Sequence, residues 1–147
     1  MGAELRRQVA ELDLTDAVHF LGALPADRIR EPLSAADLFV LATRNEGWAN
    51  VFLEAMACGL PVVTTDVGGN AEVVCRPELG AVVQFGDGGR LLNALEHALL
   101  TRWDAAAIRR YAEDNTWDRR VEELVALFGR LHAKAACATR NARVASL

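Results

Sequence analysis

Disulfide chemistry, membrane insertion and nucleic-acid binding each need something this chain is short of. It has three cysteines, Cys58, Cys75 and Cys137, an odd number with no C-x-x-C pair, which argues against a disulfide framework or a thiolate metal site. Cys58 stands in an apolar run and reads as a small core residue. No apolar run approaches the roughly 18 residues that a membrane-spanning helix needs. The start, Met-Gly-Ala-Glu-Leu-Arg, lacks the apolar core of a signal peptide, and Arg6 stands where a myristoylation signal has Ser or Thr. Basic residues are in the minority, 16 Lys and Arg against 20 Asp and Glu for a net charge of -4. They are also scattered, so the electrostatic footprint of a nucleic-acid binder is missing and no nucleic-acid partner is expected. His19, His97 and His132 share no ligand spacing, and no metal site is expected. The pattern is that of a reducing, cytoplasmic chain.

What the 147 residues do have is 52% hydrophobic side chains, enough for one domain whose core hides about two-thirds of the unfolded surface. Leu5, Val9 and Leu12 predict a helix over residues 3–12. Val18, Phe20 and Leu21 read as a short strand closed by Gly22. Pro25 suits the first turn of a brief helix that keeps Ile29 inward and that Pro32 limits. Leu38-Phe39-Val40-Leu41 is a continuous apolar run, as in a strand covered on both faces of a parallel sheet. Residues 51–58 read as a helix stopped by Gly59 and Pro61, and residues 61–65 as a β-branched strand. Gly68-Gly69-Asn70 marks a turn. Residues 81–85 give a further strand, ended by Gly86-Asp87-Gly88-Gly89, which lacks the spacing of a dinucleotide fingerprint. Three helices close the chain. Leu91, Leu92, Leu95 and Leu99 stripe the first, Ile108 and Tyr111 belong to the second, and Trp117, Val121, Leu124, Val125, Phe128 and Leu131 form a core-packing stripe on the third. Strands alternating with helices predict an α/β fold, a Rossmann-like parallel sheet with flanking helices. It spans residues 1–134, and 135–147 read as a frayed C-terminal tail.

The chemistry is concentrated in Arg44-Asn45-Glu46-Gly47-Trp48-Ala49-Asn50-Val51-Phe52-Leu53-Glu54-Ala55-Met56-Ala57-Cys58-Gly59-Leu60-Pro61. This stretch begins where a strand ends and turns at Gly47 into a helix. Backbone N–H groups and a helix N-terminus therefore stand at the C-terminal edge of a parallel sheet. Ligands of open α/β sheets bind at that edge, and a helix N-terminus attracts anions such as phosphate. Glu54 is the only charge between Val51 and Gly59, and burying a lone carboxylate among apolar neighbours costs several kcal/mol. It therefore faces solvent or meets donors such as sugar hydroxyls. Glu46 lies on the same rim, although an acid ahead of a helix is favoured by the dipole alone. The two carboxylates are spaced to hold two hydroxyl-rich parts of one ligand, with phosphates between them. Trp48 reads as an anchor of its loop on the core, and Glu72 as a surface acid.

Glu46-x7-Glu54, followed by Ala-Met-Ala-Cys-Gly-Leu-Pro-Val-Val and Gly-Gly-Asn-Ala-Glu-Val-Val, resembles the retaining glycosyltransferases of the GT-B fold, family 4 (glycosyl transferases group 1). The resemblance runs upstream through Val18-His19-Phe20-Leu21-Gly22 and Ala35-Ala36-Asp37-Leu38-Phe39-Val40-Leu41, and downstream to Tyr111 and Trp117. It implies the C-terminal, donor-binding half of such a fold. Glu46 then matches the catalytic-site glutamate that contacts hydroxyls of the donor sugar, and Glu54 the one that holds the ribose hydroxyls. Gly47, Trp48, Ala49, Asn50 and Val51 match the loop and helix start that receive the diphosphate. Arg44, Gly68, Gly69 and Asn70 are donor-proximal in this arrangement. The implied reaction passes a hexosyl group from a nucleotide diphosphate to an acceptor hydroxyl with retention at the anomeric carbon, with no cofactor or metal. A UDP sugar is the first expectation for the donor, with GDP or ADP as alternatives. The implied acceptor is a saccharide or a lipid-linked sugar at the inner membrane face, for polysaccharide biosynthesis. The resemblance also implies an acceptor-binding domain ahead of this chain, and two more strands with a phosphate-binding basic residue. Without those strands the sheet has open inner edges. The alternative reading is a non-catalytic nucleotide-sugar-binding or partner-dependent fragment.

Overall fold

The apolar runs in the middle of the chain become one parallel sheet of β1 (Phe39–Leu41), β2 (Val62–Thr65) and β3 (Gly80–Val83), in the order β1-β2-β3. Phe39 pairs with Val62 and Leu41 with Thr64, while Val62 pairs with Gly80 and Thr65 with Val83. All four residues of β2 are buried. Successive strand residues face opposite ways, so the central strand β2 is covered on both faces, whereas β1, whose apolar run led to that expectation, is an edge strand with Val40 exposed. The helices are α1 (Gly2–Glu11), α2 (Arg30–Ala35), α3 (Asn50–Ala57), α4 (Asn70–Val73), α5 (Gly88–Leu100), α6 (Ala105–Asp114) and α7 (Trp117–Val144), with a 3-10 turn at Pro77–Leu79. This computed structural model describes residues 2–144, and the side chains of α7 up to His132 together with Lys134. The tail expected over 135–147 falls on α7 as far as Val144; its side chains and residues 145–147 lie outside the described residues.

The core forms around α3. Phe52, Ala55 and Met56, spaced i, i+3, i+4, are fully buried and pack with Val62 and with Ile108 of α6. Phe39 meets Phe52 edge-on, with centroids 6.2 Å apart and planes at 72°. Burying such a side chain contributes about 1.5–3 kcal/mol. Gly59 ends α3 with φ +84, and a Cβ there would sit 3.0 Å from the Cβ of Ala105 at the start of α6. The left-handed turn and the close helix approach both call for glycine. Asp104 caps α6, accepting from the N–H groups of Ala106 and Ala107 at 3.0 Å. Arg109 Nε donates to the Ala57 carbonyl at 3.2 Å and so satisfies an end carbonyl of α3. Tyr111 donates from its hydroxyl to the Val73 carbonyl at 3.0 Å, tying α6 to α4.

Several expectations are corrected. Residues 18–21 form no strand: none of β1–β3 pairs with them, and an isolated extended segment has no ladder to join. Phe20 instead lies under the Arg6 guanidinium at 4.4 Å, and His19 is exposed. The chain turns at 26–29 and enters α2 only at Arg30, so Pro32 stands in the first turn, where its missing N–H has no partner to lose. On α5 the inward stripe is Leu91, Ala94, Leu95 and Ala98, which leaves Leu92 and Leu99 exposed on the next face. The apolar stripe of α7 is present but not a core stripe, with Trp117 68% and Phe128 61% exposed. No helix among the described residues is long and apolar enough to cross a membrane.

Two measurements check this packing. Ile108→Ala should lower unfolding free energy by about 2–5 kcal/mol in urea denaturation, the cost of a core cavity between α3 and α6. Burial, and the Cys75 thiol beside it, push the Tyr111 phenol up to about 12, against the pull of Arg76 and Arg120. Because the unfolded phenol ionises near 10, this group's stabilisation is present below that pH and lost as pH rises through its folded value. The urea midpoint of the wild type should therefore fall more steeply from pH 10 to 12 than that of Tyr111→Phe.

Candidate functional site

The loop of residues 42–49 leaves the C-terminal end of β1 and delivers the chain to the N-terminus of α3. Ala49, the residue before the helix, offers no capping side chain, and the first turn contains no acid. The N–H groups of Asn50 and Val51 are thus open to an anion, with the positive end of the helix dipole behind them, while that of Phe52 donates to the Ala49 carbonyl at 3.1 Å. Glu46 is half-buried on the loop. Glu54 is exposed, just over one turn into α3. Among the described residues, neither carboxylate has a hydrogen-bond or ion-pair partner, so both are left to an outside donor. Arg44 and Asn50 are exposed, whereas Ala49 is buried and Val51 half-buried, so these last two offer a ligand little beyond backbone.

The structure brings Gly68 and Gly69 against the Glu46 loop. Gly69 N–H donates to the Gly47 carbonyl at 2.9 Å. A Cβ on Gly69 would stand 2.9 Å from the Gly47 carbonyl oxygen and 3.0 Å from the Trp48 ring. Gly68, at φ +52, lies so close that a Cβ would overlap the Glu46 carbonyl. Asn70 is fully buried; its amide Nδ2 donates to Thr64 Oγ1 and to the Thr65 carbonyl, both at 3.0 Å. Trp48 is half-buried against the core, with the Arg120 guanidinium 4.5 Å from its ring centroid. A groove of about 530 Å³ lies beyond that ring, lined by Trp48, Trp117, Arg120, Glu123, Leu124, Leu127 and Arg130, and it includes neither Glu46 nor Glu54. Sequence reasoning missed Thr64 and Thr65, two buried hydroxyls that bond the carbonyls of Leu41 and Thr43 at 2.8 and 2.7 Å. Their signal was two adjacent threonines ending an otherwise apolar strand. No group of His, Cys, Asp and Glu suited to a metal ion occurs among the described residues.

The family profile described as Glycosyl transferases group 1 matches residues 2–115. The chain belongs to the group 1 glycosyltransferase family. It is 33% identical over 141 residues to a D-inositol 3-phosphate glycosyltransferase of Geodermatophilus obscurus, covering 95% of this chain and 31% of that protein. A protein of the same name from Salinispora tropica is 37% identical over 129 residues, covering 82% and 26%. Among solved structures, sucrose-phosphate synthase from Thermosynechococcus elongatus superposes with TM-score 0.71 at 28% identity, over 90% of this chain and 34% of that one. The lipopolysaccharide outer core galactosyltransferase WaaB gives TM-score 0.76 at 17% identity, over 87% and 38%, a likeness of fold alone. These neighbours have the GT-B fold, and the α/β sheet of this glycosyltransferase chain is part of one. The chain spans about a quarter to a third of the length of the curated relatives it matches.

Because Glu54 is exposed and unpartnered, Glu54→Gln should leave the melting temperature within about 1–2 °C of wild type, the range for a surface change of under 0.5 kcal/mol. A larger fall would mean that the carboxylate supports the fold.

Proposed function

We propose that this chain is the donor-binding part of a retaining glycosyltransferase, which passes a sugar from a nucleotide diphosphate to an acceptor hydroxyl. The carrying observation is the uncapped N-terminus of α3 at the C-terminal edge of the sheet, flanked by two carboxylates without protein partners. In this reading Glu46 accepts hydrogen bonds from hydroxyls of the donor sugar, and Glu54 from those of the ribose. The backbone of residues 47–50 and the helix dipole hold the diphosphate, whose negative charge grows as the bond to the sugar breaks. Fixed N–H groups aimed at that charge stabilise the leaving group without reorganising, while Glu46 orients the sugar for attack and Glu54 anchors the nucleoside. Arg44, exposed on the same loop, adds positive charge near the phosphates. A UDP sugar is the first candidate donor, ahead of GDP and ADP sugars. The acceptor is a saccharide or a lipid-linked sugar, bound by a domain outside this chain, at the inner membrane face.

The second reading is a nucleotide-sugar-binding fragment that acts only with a partner. It is favoured by β1, an edge strand with Val40 exposed and no neighbour on one side among the described residues.

A thermal melt with UDP, GDP and ADP tests the donor reading. A nucleotide at about 100 times its dissociation constant adds roughly 2.7 kcal/mol, a rise of several degrees at this size. One nucleotide should raise the wild-type midpoint and leave that of Glu54→Ala unmoved. A wild type indifferent to all three contradicts donor binding.

A further inference from the structure

Among the described residues, the Glu46 loop has no backbone hydrogen bond joining two of residues 42–48. It is fastened from one side instead, by the end of β2 and the segment that follows it. At the start of the loop, the Thr65 hydroxyl donates to the Thr43 carbonyl at 2.7 Å. At its far end, the Gly69 N–H holds the Gly47 carbonyl, and between them Gly68 presses on the Glu46 carbonyl. Asn70 locks this segment to the sheet by bonding both Thr64 and Thr65, and Thr64 in turn bonds the Leu41 carbonyl. The fastening therefore meets the chain at four points, Leu41, Thr43, Glu46 and Gly47. Thr65 is only 3% exposed and its hydroxyl hydrogen is committed to Thr43, so it has no free hydrogen to donate to a ligand.

We infer that Thr65, with the turn of Gly68, Gly69 and Asn70, is a positioning residue for Glu46: it sets the backbone from which the carboxylate reaches the donor sugar and does not touch the donor itself. The inference rests on the reading of Glu46 as the sugar contact. It makes an uneven prediction, because the diphosphate is held by residues 47–50 and the ribose by Glu54, and the Thr65 hydroxyl bonds none of these, only Thr43. Loss of the Thr65 hydroxyl should weaken the grip on the sugar and leave the grip on the nucleotide.

Thr65→Val keeps the side-chain shape and removes the hydroxyl; Thr65→Ser keeps the hydroxyl. Calorimetric titration of the 147-residue chain would use paired ligands: UDP-glucose and UDP, GDP-mannose and GDP, ADP-glucose and ADP. For the pair that the wild type binds, Thr65→Val should weaken the nucleotide sugar by about tenfold, the size of one hydrogen bond. The free nucleotide should change by less than about twofold, and Thr65→Ser should behave as wild type in both. An equal loss for both ligands would reveal a general weakening of the fold and overturn the inference, as would no loss for either. If the wild type binds none of the six, the donor reading itself fails and the positioning role fails with it. Wild-type binding with an unchanged ratio in Thr65→Val defeats the positioning role alone.

Discussion

The burial of one face of α3 is the constraint on which the rest depends. Phe52 and Met56 cannot leave the space between the sheet and α6 without opening a cavity that costs about 2–5 kcal/mol. A helix advances by about 100° per residue, so Glu54 is carried to the side opposite both of them. The same packing fixes the axis of α3, and with it the direction of its first-turn N–H groups. Gly59 and Arg109 hold the other end, the first by turning the chain, the second by bonding an end carbonyl. The exposed glutamate and the anion-attracting terminus thus follow from core packing, without any side chain spent on aiming them.

The loop ahead of α3 is held differently. It has too few residues and too little regular structure to fix itself, and it borrows its shape from the β2–α4 connection through glycine contacts and threonine hydroxyls. The loop backbone is held at Thr43, Glu46 and Gly47, while among the described residues the carboxylates of Glu46 and Glu54 have no bond to the protein. That division suits a site whose work is to hold a polar ligand in one orientation, since an unspent acceptor on a fixed backbone loses little freedom when the ligand arrives.

How much of this was legible in the sequence depended on whether the signal was local. The helix at 51–58 and the strand at 61–65 carried their own punctuation in Gly59 and Pro61, and the structure has them nearly where the spacing put them. The Glu46 and Glu54 pair stood out through the motif around it. Residues 18–21 have the composition of a strand, but pairing is a property of a neighbour, and none of the described strands provides it. The periodicity of α7 was visible, while what its apolar face meets was not, because an amphipathic stripe looks the same beside a core and beside an unfilled surface. The α4 turn is too short for any periodicity, and the bonds of Thr65 and Asn70 cross between elements, so neither left a trace in spacing.

The chain is a member of the group 1 glycosyltransferases, and the donor site proposed for it is the α3 N-terminus and not the groove between Trp48 and α7. The most direct test is an amide NMR titration of the isotope-labelled chain with the three nucleoside diphosphates. One of them should shift the amides of Gly47, Asn50, Val51 and Glu54 at saturation, with those of Leu124 and Leu127 unmoved. Shifts gathered on Trp117, Leu124 and Leu127, with the α3 terminus unchanged, would contradict it.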